Sequence, residues 1–265
     1  MGITVYGKNA TPVIRGVLFD MDGLVLDTEK LYTRFWMEAC RFYGFPMTRE
    51  QALRMRAANS KLSEANLHEF FGPSADYRTI RNKRIELMDA FIAEYGVEPK
   101  AGVFELLDHL RGRGIPAAIT SSSPMDRIRE HLGSIGLLQR FEKICSGYDV
   151  PWGKPAPDIY LKGAAVLGLR PEECLALEDA PLGIESAFRA GCIPVMVPDQ
   201  DQPDERTEQM LFAKADSLAD VIALIEEQTE KRRTHLGAPF CYASSVVSSG
   251  VSSVLFSAFC LSALT

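Results

Sequence analysis

The sequence predicts an α/β fold in which a parallel sheet, covered by helices, carries a block of helices inserted after its first strand. Three observations predict it. Val13 to Phe19 is a short, β-branched, apolar run, the pattern of a strand buried on both faces. From about Thr28 to Tyr95 apolar positions recur only at helical spacing. After "GVEPKAG" short apolar runs alternate with helical segments, which implies right-handed βαβ units. With 265 residues, 46% of them hydrophobic, the chain can bury a sizeable core and fill one large or two modest domains.

The helical block reads "LYTRFWMEACRFYGF", "LSEANLHEFFG" and "IRNKRIELMDAFIAEYG", with Gly44, Pro46, Gly72 and Pro73 as breaks, so about four helices are expected. Beyond it, helices are expected near 102–113, 124–133, 157–167, 181–190 and 217–228, and strands near 115–120, 141–146, 173–178, 192–197 and 212–215. Residues 1–26 and 97–230 then form the core and 27–96 the insertion, joined by two linkers that could act as a hinge. Residues 231–265 are set apart. From Thr234 onward there is no Asp, Glu, Lys or Arg, and "SSVVSSGVSSVLFSAFCLSALT" follows a basic "KRR". A disordered or loosely packed tail is the favoured reading, with membrane attachment the alternative, since about 20 apolar residues can cross a bilayer but serines weaken this stretch.

A net charge of −6 offers no positive field for nucleic acid or an anionic membrane. The cysteines at 40, 145, 174, 192, 241 and 260 are scattered without a C-x-x-C pair, as expected of reduced thiols in a cytoplasmic protein. The N-terminus shows no apolar export signal, and Tyr6 stands where a myristoylation site needs Ser or Thr. A monomer is expected.

In open parallel sheets ligands bind beyond the carboxyl ends of the strands. The first predicted strand ends in Asp20, Met21, Asp22, Gly23, the second in "TSSSP", and the fourth in Glu178 and Asp179; Lys154 lies in "GKPAPD". Singly, these read as turns and helix caps. Together they gather carboxylates, hydroxyls and an ammonium at one sheet edge, a set suited to phosphoryl transfer through an aspartyl phosphate. A carboxylate approaching a phosphate dianion needs a cation to screen it, and oxygen ligands from Asp20, the Asp22 carbonyl and Asp179 suit Mg²⁺. Ser121, the N–H groups after it beginning at Ser122, and Lys154 can hold phosphate oxygens. Asp22 can protonate the leaving oxygen and later activate water.

The segments "FDMDGLVLDTE", "ITSSSP", "GKPAPDIY" and "LEDAPLGIESAFRAG" resemble the four motifs of the haloacid dehalogenase superfamily of phosphohydrolases, over roughly Val13 to Glu227. The resemblance implies a Rossmann-like parallel-sheet core with an inserted α-helical cap domain. It implies Asp20 as nucleophile, Asp22 as general acid and base, Ser121 and Lys154 as phosphate ligands, Asp179 as Mg²⁺ ligand, and Glu178 at or beside the metal. Asp22 argues for phosphate chemistry, because dehalogenase members lack it. The chain is similar to the sugar and nucleotide phosphatases of the superfamily and to its phosphoglucomutases. Thr28 fits the mutase pattern and is counted among the expected substrate- and phosphate-binding residues, but Tyr32 stands where mutases carry a histidine. The expected function is thus Mg²⁺-dependent hydrolysis of a small phosphorylated metabolite, with a mutase as first alternative and a non-catalytic binding protein as second. Substrate choice should lie in the cap, with Lys61 as leading candidate and Arg81 or Lys83 behind it.

Overall fold

The computed structural model describes residues 2–6, 11–55 and 60–235. Within them seven strands form one sheet in the order β1 (Ile3–Val5), β7 (Ala213–Ala215), β6 (Ile193–Met196), β5 (Cys174–Glu178), β2 (Gly16–Phe19), β3 (Ala117–Ser121) and β4 (Lys143–Ser146). Every neighbouring pair is parallel except the antiparallel β1–β7 edge. The central strand β2 lies between β5 and β3, so the carboxyl ends of these three converge.

Strand alternation builds the layers. Val17 and Phe19 point to one face, where they meet helices α5 (Val103–Gly112), α6 (Met125–Ser134) and α10 (Leu218–His235) through Leu106, Leu110, Ile128 and Val221. Leu18 points to the other, against Ile159 and Tyr160 of α7 (Asp158–Val166) and Ala187 of α8 (Pro181–Arg189). Two helical layers therefore leave only the strand ends open.

Between β2 and α5 run four helices: α1 (Glu29–Phe42), α2 (Arg49–Arg54), α3 (Ser60–Phe71) and α4 (Tyr77–Tyr95). Their apolar faces close on one another through Trp36, Cys40, Met47, Ala52, Leu67 and Ile80. Polar signals set their starts: the Thr48 hydroxyl accepts from the Gln51 N–H in a capping box, and Asp76 accepts from the Thr79 N–H. The chain enters and leaves this block side by side, with the Asp27 N–H donating to Glu98 O (2.8 Å) and the Lys100 N–H to Val25 O (2.9 Å).

The structure departs from the expectations in four places. The first long strand starts at Gly16, and residues 11–15 approach it without entering a ladder. Strand β1 had no forecast, because three residues on an edge pair through backbone and need no periodic apolar pattern. A short helix, α9 (Glu205–Glu208), sits before β7, its N-terminus capped by Asp204. Finally, α10 continues to His235, so "KRR" belongs to the last core helix and the boundary at 230/231 falls inside it. From 236 onward the tail lies outside the described residues. No helix among the described residues is long and apolar enough to cross a membrane.

Candidate active site

Three strand ends form a floor. Beyond β2, Asp20 is anchored by its N–H to Leu177 O (3.0 Å) and is 7% exposed. Beyond β5 come Glu178, the last strand residue, and Asp179, both buried. Carboxylate oxygens of Asp20, Glu178 and Asp179 all lie within 4.8 Å of one another. Two glycines make this packing possible. At Gly23, whose φ of +87° already disfavours a side chain, a Cβ would lie 2.3 Å from Asp179 Oδ2; at Gly183 it would lie 2.0 Å from Glu178 Cδ.

Lys154 reaches this cluster from the β4–α7 connection, its Nζ donating to Asp20 Oδ1 (2.5 Å) and Glu178 Oε1 (2.6 Å). The Tyr160 hydroxyl donates to the same Glu178 oxygen. Burial pushes the Asp20 carboxyl up to about 7; Lys154 opposes the rise, and Glu178 and Asp22 add to it. Burial works to discharge Lys154, but Asp20 and Glu178 outweigh it and hold the ammonium above its ordinary range. One ammonium among four carboxylates, counting Asp22, leaves a surplus of negative charge in a poorly solvated place. An all-oxygen donor set with that surplus fits a hard divalent cation.

Asp22 stands apart from the cluster and is held at both oxygens: the Thr28 hydroxyl donates to Oδ1 (2.8 Å) and the Ser123 hydroxyl to Oδ2 (3.0 Å). The Ser123 N–H in turn donates to Ser121 Oγ (3.1 Å). The turn after β3 thereby positions Asp22, which a strand end alone would leave free to rotate.

A cavity of about 380 Å³ opens over the floor. Asp20, Asp22, Ser122, Lys154, Glu178 and Asp179 line it from the core, as the sequence anticipated for a shared site. Ser121 and Thr28 are fully buried and absent from its lining; Thr28, expected among the phosphate-binding residues, has its hydroxyl committed to Asp22. Lys61 is exposed at the start of α3 and does not line the cavity, whereas Arg81 does. Sequence reasoning missed Ser123, Arg84 and Arg127, and it weighed Tyr32 only as a mutase mismatch. The available signal was helical spacing: Tyr32 and Trp36 on α1, and Tyr77, Arg81 and Arg84 on α4, recur at intervals of three or four and face the cavity together.

Residues 17–197 match the model of the haloacid dehalogenase-like hydrolase family. The chain is 34% identical over 186 residues to hexitol phosphatase A of Escherichia coli (strain K12), which covers 69% of this chain and 82% of that protein. It is 33% identical over 225 residues to a Drosophila melanogaster protein described as a probable pseudouridine-5'-phosphatase, covering 80% of this chain and 94% of that one. Among solved structures, a HAD family hydrolase from Deinococcus radiodurans R1 with bound phosphate and sodium superimposes with a TM-score of 0.67 at 26% identity, covering 82% of this chain and 97% of that one. The matched span includes Asp20, Asp22, Lys154, Glu178 and Asp179, the same side chains that converge on the floor. The chain is an enzyme of the haloacid dehalogenase-like hydrolase family.

Proposed function

We propose that this enzyme is a Mg²⁺-dependent phosphatase of small phosphomonoesters, with residues 27–96 as a cap over the site. The observation that carries the reading is the floor itself: a buried carboxylate, Asp20, contacted by Lys154 and facing a cavity beside a second, separately held carboxylate, Asp22. The names of two relatives, a hexitol phosphatase and a pseudouridine-5'-phosphatase, support a phosphate ester of a small polyol or nucleoside.

In this reading an Asp20 oxygen attacks phosphorus, the P–O bond to the alcohol breaks, and the alcohol oxygen takes a proton from Asp22. Asp22, now ionised, takes a proton from water, whose oxygen attacks the phosphoryl group. That attack releases phosphate and restores Asp20. The Thr28 and Ser123 hydroxyls aim Asp22 at the leaving oxygen. Lys154 offsets the repulsion between the entering phosphate and the carboxylates. Asp20, Glu178 and Asp179 would hold Mg²⁺, which when bound supplies charge neutralisation for the phosphoryl oxygens. The cap excludes water, and the two connecting segments, hydrogen-bonded side by side at Asp27–Glu98 and Val25–Lys100, are its hinge. Buried unpaired thiols at Cys40, Cys145, Cys174 and Cys192 suit a reducing cytoplasm.

The test is inorganic phosphate release from a panel of sugar, polyol and nucleoside monophosphates, with Mg²⁺ and with EDTA. Release that stands out for one class, and disappears with EDTA and in Asp20→Asn, supports the reading. An isomerised sugar phosphate without net phosphate release would replace it with the mutase.

A further inference from the structure

The roof of the cavity carries positive charge that the reaction on the floor does not use. Arg84, on α4, is 6% exposed and lines the cavity. Its guanidinium lies 4.9 Å from the Tyr32 ring centroid and 5.4 Å from that of Trp36, and Nη1 donates to Met88 Sδ at 3.6 Å. Among the described residues no carboxylate pairs with it, and its Nε is buried without a hydrogen-bond partner. Arg81, one turn earlier on the same helix, also lines the cavity and likewise has no carboxylate partner among the described residues. Glu29 lines the cavity as well, so the wall is not uniformly cationic.

Burying a guanidinium without an anion is costly, and such groups are normally paired. The aromatic faces of Tyr32 and Trp36 offset part of that cost and fix the plane of the fork, while its Nε–H is left without a partner and Nη1 has only the weak thioether acceptor of Met88. A fork held this way is suited to the planar, bidentate recognition of an oxyanion. Arg127, which the core contributes to the lining along with Lys154, differs: it is paired across the cleft with Asp89 of α4 at 3.0 Å.

We propose that Arg84 and Arg81 form a subsite for a second oxyanion, a carboxylate or a second phosphate, on the part of the substrate that is not transferred. The proposal rests on the phosphatase reading and narrows it to phosphomonoesters that carry two anionic groups. The transferred phosphate belongs to Lys154 and the floor, and the distal anion to the roof, so one small substrate bridges core and cap.

The experiment compares matched probes: fructose 6-phosphate against fructose 1,6-bisphosphate, and glucose 6-phosphate against 6-phosphogluconate. Binding to Asp20→Asn with Mg²⁺ is measured by calorimetry, and kcat/KM is measured on the wild type. The expected result is a preference of about tenfold or more for the doubly anionic member of at least one pair, the typical yield of a charge-assisted bidentate contact. Arg84→Met and Arg81→Gln should erase that preference, and Arg84→Lys should keep part of it. Equal binding within both pairs, or a preference untouched by either substitution, overturns the subsite. A loss that falls equally on singly and doubly anionic probes also overturns it, by assigning the arginines to the transferred phosphate or to folding. Should Arg84→Met fail to fold, the more exposed Arg81→Gln carries the test. Preference in binding without any phosphate release would sink the phosphatase reading and leave the subsite standing; release without preference would do the reverse.

Discussion

The floor and the roof of the cavity are built by opposite means. On the floor, Asp20, Glu178 and Asp179 sit at the ends of parallel strands whose backbone bonds fix them to within a residue, and each lies beside a glycine-permitted close approach or a buried partner. On the roof, Tyr32, Trp36, Arg81 and Arg84 are placed only by how α1 and α4 pack on each other. Anionic, strand-borne chemistry below faces cationic, aromatic, helix-borne selection above. The division suggests that the floor can stay constant while the roof changes substrate, because a helix face tolerates substitution that a strand end does not.

The sharpest way to break this comparison is at the floor. Asp20→Asn should lower phosphate release by about 10⁴-fold or more, since no other group replaces the nucleophile, while circular dichroism stays native. Asp22→Asn should cost roughly 10² to 10⁴-fold, the range of a lost general acid and base. Survival of activity in either variant would mean that the floor is not the reacting surface.

Lys154→Met probes stability on the same floor. Removing the ammonium leaves Asp20 and Glu178 as buried, unpaired anions, so the metal-free protein should lose about 3–5 kcal/mol in urea titrations. Arg127→Gln, at the seam between floor and roof, should cost no more than about 1 kcal/mol, because the Asp89 partner is 49% exposed.

Mg²⁺ should stabilise the floor without touching the roof. At a hundred times its Kd the gain is about 2.7 kcal/mol, read as a rise in Tm. The gain should depend on pH with a definite sign. In the metal-free protein the Asp20 pKa is raised to about 7 from an ordinary 3.8, so below that value a proton occupies the carboxylate and must be displaced. The Tm shift should therefore be full above the Asp20 pKa and shrink as pH falls through it. A shift that grows on acidification would remove Asp20 from the metal set.

How much of this was legible in the sequence follows the same division. Strand-end chemistry is contiguous in the chain, so Asp20, Asp22, Glu178, Asp179 and Lys154 could be read directly from short motifs, and the structure brings all five to one cavity. The Ser121–Ser123 run was harder. Three hydroxyls in succession look alike until the turn shows that Ser123 reaches Asp22 and Ser121 accepts from the Ser123 N–H. Thr28 was read as a phosphate ligand because it fits the mutase pattern, but its buried hydroxyl is committed to Asp22. On the roof, sequence offered many helix charges and no means of ranking them. Lys61 was preferred over Arg81 and Lys83, and Arg84 was missed, although Lys61 faces solvent and Arg84 is wedged between rings; only the packing of α1 against α4 separates them. Strand β1 escaped for a related reason, since an edge of three residues is specified by β7 and not by its own pattern.

The most direct test of the central claim is to trap the phosphorylated enzyme. Asp22→Asn, with Mg²⁺ and p-nitrophenyl phosphate, a substrate whose leaving group needs no protonation, should form the intermediate but hydrolyse it slowly. Acid quenching followed by peptide mass spectrometry should then find the phosphoryl group on the peptide that carries Asp20, and on no other. Turnover without any labelled peptide, or label on a different residue, would contradict the account.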